Sequence, residues 1–282
     1  MKKSSLLLAA TVIVTNIFAN AEKSENLVIN GNAANGLNNW ENIQQVVDGG
    51  QGGAKCFEIT GSTQINSLAL IPVDAQSEYK LTGWFKSGND KPNNLYFGLL
   101  LFDKSKRPII SSSVNALAKS ETVVVENVKE GETIVKIQDA STWQLLFQKK
   151  RLMIAFDVDA SGAYSDLPNY RLYNVTHLEE KDGIWQATIA KPLVADYSAG
   201  SKVRAHEASS SYMYAYIKKR IFTDWTECGS TIKSMVKSGM PTSTFWPGTK
   251  YVKILILANC EQKDGETLQF GSIRLEKVES KK

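Results

Sequence analysis

The sequence predicts an all-β sandwich, and three observations carry that prediction. Beyond Asn26 most periodic segments are short and rich in β-branched or aromatic residues. Clusters of Gly, Asn, Asp or Ser separate them, as expected of antiparallel strands joined by turns. The 3.6-residue period of helices is nearly absent.

The elements follow in order. Glu78 to Lys86 alternates and reads as a strand. Leu95 to Phe102 is apolar on both faces, which places it centrally in a sheet. Asp103 to Lys106 is a polar turn before Pro108, Ile109 and Ile110. Tyr251 to Ala258 and Thr267 to Val278 are two further strands around the turn Lys263 to Glu266. Between about residues 130 and 207 the texture changes: strands shorten, and loops such as Asp159 to Gly162 and Glu180 to Gly183 intervene. Thr133 to Ile137, Trp185 to Ile189 and Ser198 to Arg204 can fold there as a small barrel-like excursion. The predicted organisation is a leader over 1–21, a first part of the sandwich over 22–130, an inserted β subdomain over 131–207 and the rest of the sandwich over 208–282.

The leader reading rests on the basic Met1-Lys2-Lys3, the apolar run Leu6 to Phe18 and the small-x-small step Ala19-Asn20-Ala21. It predicts export to the periplasm or the exterior. Leu6 to Phe18 is shorter than the roughly 20 apolar residues that a bilayer span needs, and no second stretch approaches that length, so no membrane insertion is expected. The formal charge of +4 includes Lys2 and Lys3, and the near-neutral remainder argues against nucleic-acid or anionic-membrane partners. Three cysteines, Cys56, Cys228 and Cys260, allow at most one intramolecular bridge, for which Cys228 with Cys260 is the expected pair. The 282 residues suffice for a large hydrophobic core without disulfides.

Asn26-Leu27-Val28-Ile29-Asn30-Gly31, followed by Gly36-Leu37-Asn38-Asn39-Trp40, resembles the opening of the jelly-roll carbohydrate-binding modules with a galactose-binding-domain-like fold. The strand through Tyr79 to Phe85, the step Asp224-Trp225-Thr226 before a penultimate strand, and the closing strand Leu268 to Val278 keep the same order. The resemblance covers about 26–115 and 210–278 and implies a jelly-roll β-sandwich that recognises a polysaccharide. Such modules often close on an Asp pair that completes a structural calcium site. Here Phe270-Gly271-Ser272 offers no carboxylate, which argues against calcium and leaves oxygens around Asn30, Asn32 and Asp48 as the nearest candidates. No cofactor or other metal is expected.

Sugars bind to flat aromatic rings flanked by polar groups. Trp40 and Trp84 read as core packing, and Trp225 matches a family position that packs under the sheet. Trp143, Trp185 and Trp246 lie by loops or strand ends, where exposure is commoner. Trp246, held among turn residues from Ser243 to Tyr251, is either the anchor or a ring packed over a loop. Tyr212, Tyr214 and Tyr216 alternate and would share one strand face, either an open platform or, as favoured, a surface covered by the inserted subdomain.

The inventory for catalysis is thin. His177 and His206 have no metal-ligand spacing, and neither a nucleophile elbow nor a Gly-rich phosphate loop occurs. Arg204, His206, Tyr212 and Tyr214 supply residue types a polysaccharide lyase uses, and Lys218-Lys219-Arg220 could attract an acidic glycan. A glycoside hydrolase would need two carboxylates across a cleft, for which Asp139, Asp157, Asp159, Asp166 and Asp196 are available. The expectation is a non-catalytic carbohydrate-binding protein. A lyase or hydrolase and a structural or protein-binding extracellular component are the alternatives.

Overall fold

The computed structural model describes residues 25–90, 93–209, 212–259 and 265–279. The leader, Cys260 and the first half of the expected turn, Lys263 and Asp264, lie outside the described residues.

In chain order the strands are β1 (Trp40–Glu41), β2 (Gln45–Val47), β3 (Cys56–Thr60), β4 (Thr63–Ser67), β5 (Ile71–Pro72), β6 (Tyr79–Ser87) and β7 (Asn93–Phe102). After the short helix α1 (Ser111–Val114) come β8 (Thr122–Val123), β9 (Ile134–Ile137), helix α2 (Gln144–Gln148), β10 (Leu152–Phe156), β11 (Leu172–Lys181), β12 (Ile184–Ile189) and β13 (Lys202–Glu207). The chain ends on β14 (Met213–Ile221), β15 (Thr226–Ile232), β16 (Tyr251–Ala258) and β17 (Thr267–Lys277).

Two antiparallel sheets form the sandwich. The front sheet has the order β1-β4-β16-β7-β14, with β5 also on β16, and the back sheet the order β15-β6-β17-β3-β2. From β3 to β4, β6 to β7, β14 to β15 and β16 to β17 the chain crosses between sheets, which is jelly-roll wiring. As its apolar run predicts, β7 is central, between β16 and β14. Asp224-Trp225-Thr226 leads into β15, which is third from last rather than penultimate.

Period-two alternation decides what each strand buries. Along β6, Tyr79, Leu81 and Phe85 point inward, while the register pairs Lys80, Trp84 and Lys86 with outward residues of β17. Phe85 and Phe97, one from each sheet, meet at 5.1 Å between centroids, and Phe57, Phe270 and Trp40 extend that aromatic spine. Each such ring is worth about 3–5 kcal/mol against truncation to Ala.

The segment at Asn26 is fastened by asparagine amides. Asn26 Oδ1 accepts from the backbone N–H of Val28 and Leu275, and its Nδ2 donates to Ile273 O at 3.1 Å. Asn30 Nδ2 donates to the carbonyls of Gly36 and Asn38, and its Oδ1 accepts from Asn35 N–H. Gly31 is required here, since a Cβ would lie 2.1 Å from Ile273 O. The oxygen named for calcium at Asn30 thus serves the loop itself. Among the described residues no group of three or more His, Cys, Asp or Glu is placed to hold a metal ion.

Between β7 and β14 the chain builds a second body with its own core. Strands β8-β13-β10-β11-β12-β9 hydrogen-bond in that order. The ends then join: Val124 bridges Ile137, Val125 N donates to Lys136 O, and Gln138 N donates to Val123 O. Six strands therefore close into a small barrel, which leaves no free edge. Its core stacks Phe156 on Tyr197 at 4.1 Å and includes Trp143 and Trp185. Barrel and sandwich meet at α1, where His206 donates from Nδ1 to Ser112 O at 2.7 Å and Asn169 N donates to Ser113 O.

Candidate functional site

The rings expected at the surface are mostly inside. Trp246 is 1% exposed, donates from Nε1 to Pro241 O at 3.2 Å, and closes the sandwich core. Trp143, fully buried, donates to Ser120 O, and Trp185 is 6% exposed in the barrel core. This corrects the expectation for all three: turn chemistry brought each ring to an element end, but the end folds inward, leaving no face on which a sugar could stack. Trp40 is core, as expected. Trp84 is not: it is half-buried on the outer face of the back sheet, outside the core. Trp225 is half-buried too, with Lys86 Nζ 5.0 Å from its ring centroid.

The three tyrosines do not share a face. Met213 pairs with Leu99 and Tyr214 with Gly98, but Tyr216 pairs with Phe97, so Ala215 is a bulge. The bulge turns Tyr216 toward the core, where burial and the neighbouring Cys228 thiol push its phenol up to about 12. Gly98 permits the bulge, because a Cβ there would lie 2.1 Å from Met213 O.

What replaces the three-tyrosine face is a platform on the outer face of the front sheet. Residues paired across strands share a face, so register defines it in rows. One row reads Ile217, Tyr96, Leu257 and Gln64; the next reads Tyr214, Gly98, Leu255, Asn66 and Glu41. Leu100 and Lys253 begin a third. The Tyr96 and Tyr214 rings are 5.3 Å apart, and those of Tyr214 and Tyr212 are 6.1 Å apart. All three are half-buried and none belongs to either core.

Tyr212 shapes this face. Its hydroxyl donates to Gln64 Oε1 at 2.8 Å, although Gln64 sits on β4 and two strands intervene. At about 4.8 Å per strand, the Tyr212 and Gln64 side chains must between them reach over β7 and β16. Leu255, outward in its row yet fully buried, lies on that path. From Gln64 the polar chain continues: Nε2 donates to Asn66 Oδ1 at 3.1 Å, and Asn66 Nδ2 donates to Glu41 Oε2 at 3.3 Å. Three aromatic rings thus flank a line of amides ending in a carboxylate.

The residues named for a lyase divide. Tyr212 and Tyr214 stand on the platform, whereas Arg204 and His206 are fully enclosed where barrel meets sandwich. Arg204 pairs with Asp166 at 2.8 Å and donates from Nε to His206 Nε2. Burial holds the His206 imidazole down at about 4, with Arg204 adding to the depression. The Ser112 carbonyl can only accept, so the proton sits on Nδ1 and Nε2 accepts from Arg204. The other aspartates serve local structure: Asp139 and Asp159 accept from nearby serine N–H groups, Asp157 pairs with Arg171, and Asp196 pairs with Lys129.

No protein-family profile matches the chain, and no curated protein matches it. Among solved structures it is similar to one described as "Family 16 Carbohydrate Binding Module-2", at 13% identity over 90% of this chain and 100% of that one, with a TM-score of 0.35. Another, described as a "putative sugar binding protein" from Bacteroides thetaiotaomicron VPI-5482, is 11% identical over 90% of this chain and 100% of that one, with a TM-score of 0.30. Similarity at that level carries no argument about the ligand, which has to follow from this chain's own side chains.

Tyr96, Gln64, Asn66 and Glu41 are absent from the residues singled out in the sequence. Alternation could have found Tyr96, since Leu95 and Phe97 face inward, and likewise Gln64 and Asn66 around Ile65.

Proposed function

We propose that the protein binds a carbohydrate chain on the outer face of the front sheet and leaves it chemically unchanged. One observation carries the reading: Tyr96, Tyr212 and Tyr214 lie on a sheet face outside both cores, beside the polar chain from Gln64 to Glu41. Phenol rings take the C–H faces of sugar rings, while amides and a carboxylate take hydroxyls. The leader motif over 1–21 supports placing the protein outside the cytoplasm. Enclosure of Arg204 and His206 keeps the basic and imidazole groups of a lyase away from any ligand on this face.

The test is affinity electrophoresis through gels containing neutral and acidic polysaccharides, with release of reducing and unsaturated ends assayed on the same panel. The expected result is retardation by at least one polysaccharide without product, weakened about tenfold or more in Tyr214→Ala and in Tyr96→Ala. Retardation unchanged in the double variant would remove the platform from the reading. Product release would replace binding with catalysis.

A further inference from the structure

The back sheet has an outer face of its own, and its register reads in rows as well. One row is Gln45, Glu58, Gln269 and Lys86, with Trp225 beyond Lys86; the next is Val47, Cys56, Gly271, Trp84 and Glu227. Neither Trp84 nor Trp225 belongs to a hydrophobic core, and both remain half-buried. Two indoles on an outer sheet face contribute little to a sandwich whose core is complete without them. Gly271, paired with Trp84, is buried, and a Cβ there would stand in van der Waals contact with Cys56 Cβ at 3.6 Å.

The polar groups around the indoles already have partners. Glu58 accepts from Gln45 Nε2 at 2.6 Å through one carboxylate oxygen and from Gln269 Nε2 through the other. Arg274 pairs with Glu276, and Lys86 rests over Trp225. On this face Lys80, Lys86 and Arg274 stand against Glu58, Glu227 and Glu276, so no net charge is offered to a ligand. Amides held in place by a carboxylate, two indoles and balanced charge match a ring with an apolar face and uncharged hydroxyls.

We infer that the outer face of the back sheet is a second carbohydrate-binding site, which takes an uncharged pyranose chain on Trp84 and Trp225 with Gln45 and Gln269 as hydrogen-bonding partners. The two sites lie on opposite faces of one sandwich, so a single chain of this protein can hold two glycan strands. Even weak sites gain from such linkage when both strands belong to one matrix.

The experiment is isothermal titration of the full chain with cellohexaose, maltohexaose, xylohexaose, mannohexaose and a charged galacturonate hexamer, following tryptophan emission in parallel. The expected result is two binding events per chain for one of the neutral hexamers. One event and its emission change should weaken about tenfold or more in Trp84→Ala and in Trp225→Ala. Trp84→Phe, which keeps an aromatic ring on the face, should retain part of that event and guards against a folding defect in the Ala variants. A single event abolished by Tyr214→Ala and indifferent to all three back-face variants would overturn the inference and leave the front site standing. A single event abolished by Trp84→Ala and indifferent to Tyr214→Ala would do the reverse. No binding of any hexamer would overturn both, and preference for the galacturonate would overturn the uncharged ligand.

Discussion

Barrel and sandwich are built from the same short antiparallel strands, yet they place their large aromatics differently. In the barrel, Trp143, Trp185, Phe156, Tyr173 and Tyr197 all belong to the core. In the sandwich, Trp40, Trp246 and the phenylalanines fill the core, while Tyr96, Tyr212 and Tyr214 on one outer face and Trp84 on the other belong to no core. A closed barrel has one interior, and the aromatics on its strands, Phe156, Tyr173 and Trp185, go there. A sandwich has two outer faces besides its interior, and rings left on them are available to a ligand. The difference assigns stability to the barrel's aromatics and recognition to the sandwich's outer ones.

The largest expected effect tests the first half of that assignment. Trp143→Ala removes a fully buried indole and leaves Ser120 O without its donor, so it should cost about 3–5 kcal/mol in urea denaturation. Retardation by polysaccharide, measured where the variant is still folded, should survive. If the folded variant loses it, the barrel takes part in recognition and the comparison breaks.

How much of this was legible in the sequence depends on the distance over which the deciding interaction acts. Alternation set the inward face of β6, and an apolar run on both faces the central place of β7, because both are properties of one strand and its two sides. The same alternation argued that Trp84 faces away from Phe85, but the size of an indole favoured core packing over its position. The face of Tyr216 was not legible, since the bulge at Ala215 depends on the close approach of Met213 O to Gly98 on another strand. Turn residues around Trp246 marked a loop correctly without saying on which side of it the ring would pack. The rows of the front platform join side chains from five strands distant in sequence, and only register brings them together.

The junction supplies the second prediction, which concerns whether barrel and sandwich part in acid. His206 has a folded pKa of about 4 against about 6.5 for an ordinary imidazole, because it is buried beside Arg204. As pH falls from 6.5 the unfolded chain takes up this proton before the folded chain does, so stability is lost between pH 6.5 and pH 4. The contribution is up to about 3 kcal/mol. His206→Gln, which has no proton to gain, should be less stable at pH 7 but should lose less on acidification. A slope of melting temperature against pH identical to that of the parent would remove His206 from the account.

Gly98→Ala tests the platform through its backbone. A Cβ 2.1 Å from Met213 O forces β14 away from β7, with an expected cost of about 1–3 kcal/mol. Tyr214, paired opposite Gly98, moves with β14, so polysaccharide retardation should weaken even in protein that remains folded. Unchanged retardation alongside lowered stability would show that the platform tolerates displacement of its edge strand.

The smallest expected change in stability belongs to the substitution with the largest expected change in binding. Tyr214 is half-buried, packs against Tyr96 and Tyr212, and lies outside the core, so Tyr214→Ala should shift the denaturation midpoint by no more than about 1 kcal/mol. It opens one end of the platform and removes the ring that both other tyrosines touch, so binding should fall by about tenfold or more. Trp143→Ala is expected to show the opposite pattern, and the pair of variants separates the two uses of aromatic rings within one chain. A large loss of stability in Tyr214→Ala would mean that its ring holds β14 on the sheet, and the outer tyrosines would then rank with the barrel's tryptophans as packing.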